Sequence, residues 1–280
     1  MSYKTILVHC NDTHRVRGLL APAVALADKF QAHLVGLSVV PPVSVIANGA
    51  FGAPPLIVDA QCRLYREQNP ALRGAFDDMT RGKAFSTEWR DVDAGSFGVI
   101  EVVLEHGRTA DLIVASQTDP NAPASEWLDI ADRLALESGR PVLIVPNAET
   151  PDRVGTRVLV AWNGRREAAR AVFDALPILK DSASTKVVWV NPQSEGEATR
   201  LLPANDICVA LARHGVKCDR TKQLSSELDA GETLMACAKD FGADLIVMGC
   251  YGHSRLREFV FGGASRYFLN KASIPVLMSH

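Results

Sequence analysis

The chain has 280 residues, which exceeds the size of most single domains and predicts one or two of them. Hydrophobic residues make up 47% and charged residues 22% of the chain, as in packed globular proteins, so extensive disorder is not expected. The formal net charge is −2, which gives no global field favouring nucleic acid or an anionic membrane, and neither is expected as a partner.

The first residues, Met1 to Lys4, lead directly into a strand-like Thr5–Val8 with no basic and then apolar leader. No apolar run reaches the length of a transmembrane helix, and together these features predict a cytoplasmic protein. The cysteines form no C-x-x-C pair and no zinc-finger spacing, so reduced thiols acting as small hydrophobic side chains are expected. They are Cys10, Cys62, Cys208, Cys218, Cys237 and Cys250.

The chain repeats itself over about half its length, in three blocks that occur in the same order. The matched blocks are Thr5–Asn11 with Arg157–Asn163, Ala110–Val114 with Ala243–Val247, and Pro141–Val145 with Pro275–Met278. A repeat this long indicates duplicated domains. Two prolines and several polar residues at 146–152 are typical of a linker, which predicts domains at 1–147 and 153–280.

Strand-like and helix-like patterns alternate along both halves. The first half begins with Thr5–Val8, a helix over Val16–Phe30, and later an insert rich in Pro, Gly and Ala at 41–55, which predicts a mobile loop. In the second half the pattern predicts strands near 157–162, 185–190, 217–222, 244–248 and 275–278, and helices near 166–179, 196–214, 229–241 and 263–271. Continuously apolar strands between helices predict α/β domains with doubly wound parallel sheets.

A glycine motif follows the strand that ends at Met248. Gly249 and Gly252 are followed, after nine residues, by Gly262 and Gly263, which open the next helix at Ala264 and Ser265. Glycines allow close approach of the backbone to a ligand, and the free N–H groups of a helix N-terminus suit a phosphate. Asn163 follows the first strand of this half and is expected at the same rim of the sheet.

This motif, with the final strand Ile274–Met278, resembles that of the universal stress protein family, here as two tandem copies. The resemblance implies a five-stranded, Rossmann-like parallel sheet in each domain and, in the second, a site for ATP or a related adenine nucleotide, with or without Mg²⁺. The positions implied for nucleotide binding are Asn163, Val190, Met248, Gly249, Gly252, Gly262, Gly263 and Ala264. They act mainly through their backbone, and no residue is implied as a metal ligand or as catalytic.

Two departures from the family pattern predict weak binding. Nucleotide-binding members carry Asp where Asn163 stands, and an amide is a poorer Mg²⁺ ligand than a carboxylate. They also carry Ser or Thr where Gly263 stands, so a hydroxyl donor to phosphate is lost. Ser265 either replaces that hydroxyl or caps the helix. Both changes weaken triphosphate binding more than adenosine binding.

The first half lacks the glycine motif, and Asp119 and Glu126 bring negative charge to the corresponding segment. It is therefore interpreted as a structural partner whose last strand, Val142–Val145, pairs with Val276–Met278 within the chain. Whether two chains also form a homodimer is left open by the sequence. His9 is interpreted as a rim or core histidine with its hydrogen bonds satisfied.

Three functions remain open at this point. The first is a stress-response regulator that binds adenine nucleotide, and the second is a scaffold or chaperone-like protein with an empty site. The third is a slow ATP hydrolase. The sequence argues against it, because it shows no obvious general base, no P-loop lysine and no acidic metal pair. An isolated Gly-x-x-Gly is common in turns, so the motif alone does not decide among them.

Overall fold

The computed structural model describes residues 2–42, 55–118, 130–147, 153–190, 204–223, 229–250 and 263–280, and these form a mixed α/β fold. The strands are β1 Thr5–His9, β2 His33–Val40, β3 Thr87–Asp93, β4 Leu112–Ser116, β5 Val142–Val145, β6 Arg157–Ala161, β7 Ser184–Val190, β8 Cys218–Gln223, β9 Leu245–Gly249 and β10 Val276–Ser279. The helices are α1 Val16–Phe30, α2 Pro55–Thr80, α3 Val99–Gly107, α4 Ala131–Glu137, α5 Arg166–Asp174, α6 Leu176–Lys180, α7 Ala204–Arg213, α8 Ala230–Phe241 and α9 Gly263–Lys271.

All these strands belong to one sheet in the order β3-β2-β1-β4-β5-β10-β9-β6-β7-β8. Each half has the same internal order, with its first strand in the middle and its last strand at the joint. Pairing is parallel within each half and antiparallel at the joint, where Leu143 faces Leu277. The expected pairing of the two last strands is therefore present in the structure, whereas the domain bounds themselves remain a prediction.

The central strands are apolar on both sides because helices cover both faces of the sheet. One core lies under α1, α2, α5, α6 and α7 and includes Leu20, Phe76 and Leu277. The opposite core lies under α3, α4, α8 and α9 and includes Ile113 and Phe268. This arrangement is the doubly wound fold that the sequence predicts.

The repeated Ala-Asp-Leu-Ile-Val block has a structural reason in its acid. The carboxylate of Asp111 accepts from the main-chain N–H groups of Lys4 at 2.7 Å and Thr5 at 3.0 Å. Asp244 does the same for the second half, accepting from the N–H groups of Gly155 and Arg157, each at 3.0 Å. Each acid thus fastens the amino end of the first strand in its half to the neighbouring strand.

Most of the predicted element bounds agree with the structure, and α1 and α9 agree at both ends. The helix predicted over 166–179 is two helices, because the chain turns at Ala175 and restarts with Pro177 near the start of α6. Proline lacks the N–H that a continuous helix needs at that point. Of the helix predicted over 196–214, the described part is α7, and residues 43–54 of the predicted loop lie outside the described residues.

Candidate functional site

The carboxyl ends of β6, β7 and β9 meet at one edge of the sheet. Ala161 in β6 lies opposite Val188 in β7 and opposite Met248 in β9. Asn163 follows Ala161 by two residues and Gly249 follows Met248 directly, so both lie at this edge. The chain leaves β6 and β9 toward opposite faces of the sheet, and such a switch point is where open α/β sheets form a ligand crevice.

Asn163 is exposed at this edge and takes part in a local turn. Its side-chain oxygen accepts from the main-chain N–H of Arg165 at 3.0 Å, and Gly164 has a φ of 71°. This is an Asx-type turn that directs the chain into α5. A ligand at the edge would therefore meet the side-chain nitrogen of Asn163, which donates and suits a hydroxyl or phosphate oxygen.

Gly249 is in close contact with the start of α5. A Cβ atom at this position would lie 2.5 Å from the main-chain nitrogen of Ala168 and 2.5 Å from the carbonyl carbon of Glu167. In the structure this glycine allows the close approach of α5, and its predicted role toward a ligand stays a prediction. The close packing sets how near α5 comes to the crevice.

The N-terminus of α9 begins at Gly263 and places Ala264 and Ser265 in its first turn. Ser265 is buried and is the third residue of the helix. Whether its hydroxyl serves a phosphate or the helix end stays a prediction. A Cβ on Gly263 would lie 3.2 Å from a carboxylate oxygen of Asp229. That oxygen also accepts from the N–H of Ala230 and so caps α8.

Sequence reasoning missed two carboxylates near the candidate site, Asp229 and Glu167. Glu167 is only 6% exposed, in the first turn of α5, and pairs with the guanidinium of Arg166. Both acids stand near helix N-termini, where a negative charge is favourable. Of the two, Asp229 lies against Gly263 at the helix N-terminus where a phosphate was predicted, and its negative charge would oppose an anion there.

In the first half, hydrogen bonds from side chains cross the corresponding edge of the sheet. Ser116 stands where the second half has Gly249, and its hydroxyl accepts from the side-chain nitrogen of Asn11 at 3.2 Å. Gln117 follows Ser116, and its main-chain carbonyl accepts from the guanidinium of Arg15 at 3.3 Å. The absence of the glycine motif from this half thus coincides with polar side chains that bridge β1 and β4.

His9 ends β1, at the same edge of the first half, and is only 1% exposed. Within the part of the chain that the structure describes, neither ring nitrogen has a hydrogen-bond partner, so the expectation of a satisfied histidine was wrong on that point. Burial lowers the pKa of His9 to about 4, because the charged ring would lose its hydration. The imidazole is therefore neutral at physiological pH.

Other predicted positions are only partly described. Val190 ends β7 at the same edge, and Met248 is buried in β9. Gly252 and Gly262 lie outside the described residues, as do Asp119 and Glu126. Among the described helices, none combines the length and apolar composition that crossing a bilayer requires. The described residues contain no group of three or more His, Cys, Asp or Glu side chains placed to hold a metal ion.

Comparisons with known proteins agree with this geometry. Residues 156–280 match the Universal stress protein family. A curated universal stress protein from Synechocystis sp. is 44% identical over 48 residues, which is 17% of this chain and 17% of that relative.

Two solved structures match nearly the whole chain. A universal stress protein from Archaeoglobus fulgidus has a TM-score of 0.65 at 13% identity, over 98% of this chain and 95% of that one. A candidate universal stress protein from Pseudomonas aeruginosa has a TM-score of 0.60 at 16% identity, over 99% and 93%. At these identities the similarity establishes the fold alone. Over residues 156–280, this chain is therefore similar to the universal stress protein family.

Proposed function

We propose that the protein is a stress-response regulator that binds an adenine nucleotide at the carboxyl edge of its second half. One observation carries the proposal: Asn163 and Gly249 border the crevice between β6 and β9, at the edge where α9 begins with Gly263. A polar side chain, a glycine and a helix N-terminus at a switch point are the elements that such a ligand needs.

Each element would contact a different part of the nucleotide. The side-chain nitrogen of Asn163 would donate to a ribose hydroxyl, and the main chain at Val190 and Met248 would border the adenine. The N–H groups of Gly263 and Ala264, together with the hydroxyl of Ser265, would donate to phosphate oxygens. Gly252 and Gly262 would complete the loop over the phosphates.

The charges near the edge favour few phosphates. The carboxylate of Asp229 lies against Gly263, whereas that of Glu167 is paired with the guanidinium of Arg166, so Asp229 is the acid that opposes a phosphate there. Asn163 gives a metal ion a neutral ligand in place of a carboxylate. Each added phosphate group therefore contributes less binding free energy than it would beside a helix N-terminus with no acid near it. We expect affinity to fall from AMP to ADP to ATP in the absence of Mg²⁺.

A second candidate function, that of a scaffold with no nucleotide, is favoured by two contacts. The side-chain oxygen of Asn163 already serves the turn into α5, and the carboxylate of Asp229 already lies against Gly263. A slow ATP hydrolase is the third candidate, and no described contact favours it over the other two.

Binding can be tested directly with the purified full-length chain. The protein is denatured and the supernatant analysed for released adenine nucleotide, and the refolded or nucleotide-free protein is titrated calorimetrically with AMP, ADP and ATP, with and without Mg²⁺. Binding in the order AMP, ADP, ATP supports the proposal. Absence of released nucleotide and of any binding heat would establish the scaffold instead.

The Asp229→Asn variant tests the site itself. Asparagine still caps α8 but carries no charge, so affinity for ATP should rise about two- to fivefold. The matched control is Asp219→Asn, an exposed acid in β8 at the far side of the half, which should leave affinity unchanged. A phosphate-release assay on the wild type and on Gly252→Val separates binding from hydrolysis, because turnover lost in the variant would indicate an enzyme.

A further inference from the structure

Two cysteines that are far from any C-x-x-C pattern lie together at the outer side of the second half. Cys208 is in α7 and Cys218 begins β8, and their sulfur atoms are 2.7 Å apart. Both side chains are half-buried, so small solutes can reach them. Both cysteines are free thiols and pack against the hydrophobic core, as the sequence predicts, and the fold also places them side by side.

The local fold holds the two thiols in place. Ile207 and Leu211 of α7 are buried against the sheet, as is Val216 in the connection to β8. Gly215 has a φ of 83°, which lets the chain turn back so that the helix packs on the strand that follows it. Neither sulfur can move far without unpacking these apolar side chains.

We propose that Cys208 and Cys218 form a reversible intramolecular disulfide when the protein meets a hydroperoxide, and that this bond fastens α7 to β8. The S–S bond of a disulfide is about 2.05 Å long, so the sulfur atoms need to approach by less than about 1 Å. Small rotations of the two side chains suffice for that approach.

The chemistry balances in two steps. One thiol attacks hydrogen peroxide and becomes a sulfenic acid, with release of one water. The second thiol then attacks the sulfenic sulfur, forms the S–S bond and releases a second water. Peroxide is reduced and the two thiols are oxidised by two electrons, and a thiol reductant reverses the reaction.

The thiol of Cys218 is protonated at rest. Burial raises the pKa of Cys218 well above its usual value, and the adjacent thiol of Cys208 and the carboxylate of Asp219 add to this effect. Because the thiolate is the reacting form, we expect oxidation by excess peroxide rather than by traces of it.

The bond would act on the edge of the sheet and not on the proposed nucleotide site. Cys218 pairs with Thr185 near the amino end of β7, whereas Val190 pairs with Gln223 at the opposite end. β8 is also an edge strand of the sheet, and such strands are prone to pair with other chains. Fastening α7 to β8 would hold this edge in its native form under oxidising conditions.

Trypsin makes the proposal directly testable in the wild-type chain. It cleaves after Arg213 and Lys217, so Cys208 falls in peptide 201–213 and Cys218 in peptide 218–220. The reduced, full-length protein is treated with excess hydrogen peroxide, blocked with N-ethylmaleimide and digested without reductant. Mass spectrometry should find the two peptides joined, with loss of two hydrogen atoms, and separate again after dithiothreitol.

Variants and exchange measurements complete the test. Cys208→Ser and Cys218→Ser should each abolish the joined peptides, whereas Cys237→Ser, which removes another partly exposed thiol, should retain them. Amide hydrogen exchange over 204–213 should slow in the oxidised wild type and stay unchanged in peroxide-treated Cys208→Ser. The proposal is overturned if both cysteines remain alkylated, are oxidised singly, or join other chains. Unchanged exchange after full oxidation would overturn the fastening of α7.

Discussion

The side-chain nitrogen of Gln117 donates to the main-chain carbonyl of Phe268 at 3.1 Å, although the two residues belong to different halves of the sheet. The same nitrogen donates to the carbonyl of Ala272 at 3.2 Å, so it satisfies the C-terminal end of α9. Gln117 directly follows β4, at the position where the second half continues its glycine motif after β9. This half thus uses that position to support the helix whose other end begins with Gly263.

Replacing Gln117 by leucine should lower the free energy of unfolding by about 2 kcal/mol. Gln117 is buried, and the change leaves the carbonyl of Ala272 and the N–H of Asn147 without their side-chain partner. The carbonyl of Phe268 keeps a bond from the N–H of Ala272 at 3.4 Å, which limits the loss. Urea denaturation of both proteins measures the difference.

The control for this change is Gln68→Leu, since Gln68 is exposed on α2. A substitution there should alter stability by no more than about 0.5 kcal/mol. If Gln117→Leu costs no more than this control, the hydrogen bonds to α9 do not contribute in solution.

His9 should make the protein sensitive to acid in a defined range. Its pKa is about 4 in the folded chain and about 6.5 when unfolded. Above pH 6.5 neither state binds the proton, so no stability is lost. As pH falls from 6.5 to 4, the unfolded state binds a proton that the folded state does not, and up to about 3 kcal/mol is lost.

The variant His9→Leu removes this dependence, because leucine fits apolar surroundings and cannot be protonated. In thermal unfolding the variant should already be more stable at pH 7.5, because it removes two buried ring nitrogens that lack partners, and its advantage should grow below pH 6.5. His14→Gln is the control, since His14 is exposed. Parallel stability curves for wild type and His9→Leu between pH 6.5 and 4 would contradict the assignment of a buried neutral imidazole.

Gly249→Ala should destabilise the protein by about 1 to 3 kcal/mol through steric overlap. The new methyl group would meet main-chain atoms of Glu167 and Ala168, which cannot rotate away as a side chain can. Gly18→Ala is the matched control, because nothing lies within 4 Å of a Cβ there, in α1. That variant should be more stable by about 0.5 to 1 kcal/mol, since alanine favours the helix. Equal denaturation midpoints for the two variants would show that α5 tolerates the methyl group.

Much of the fold could be predicted because its signals are local. Apolar strands such as β9 and amphipathic helices such as α1 are read from adjacent residues, and the repeated blocks set the strand order. The break between α5 and α6 was not predicted, because the apolar pattern continues across it, although Pro177 is a signal that indicates it. The joint between β5 and β10 followed from the need of two last strands for a partner.

The contacts of the candidate site could be predicted less well, because they join residues that are distant in sequence. Asp229 has the pattern of a helix cap, and nothing local indicates that it also lies against Gly263. Gln117 and Phe268, like Cys208 and Cys218, come together only through the packing of helices on the sheet. Asn163 and Gly249 were predictable because parallel strands bring their carboxyl ends to one edge.

The joint between the halves can be tested with Leu143 and Leu277, which face each other across it and are fully buried. Each change to alanine should cost about 2 to 5 kcal/mol through lost burial and the cavity left behind. Because the side chains are cross-strand neighbours, the double variant should depart from additivity by about 0.5 kcal/mol or more. Urea denaturation of the four proteins gives this coupling energy.

Leu143→Ala combined with Leu211→Ala provides the control. Leu211 lies in α7, over β7 and β8, and four strand spacings separate β5, which holds Leu143, from β7, roughly 19 Å. These two changes should therefore add within about 0.5 kcal/mol. Additivity of Leu143 with Leu277 as well would mean that the antiparallel joint does not form in solution. A coupling confined to the facing pair is expected only when the two last strands join the halves into one sheet.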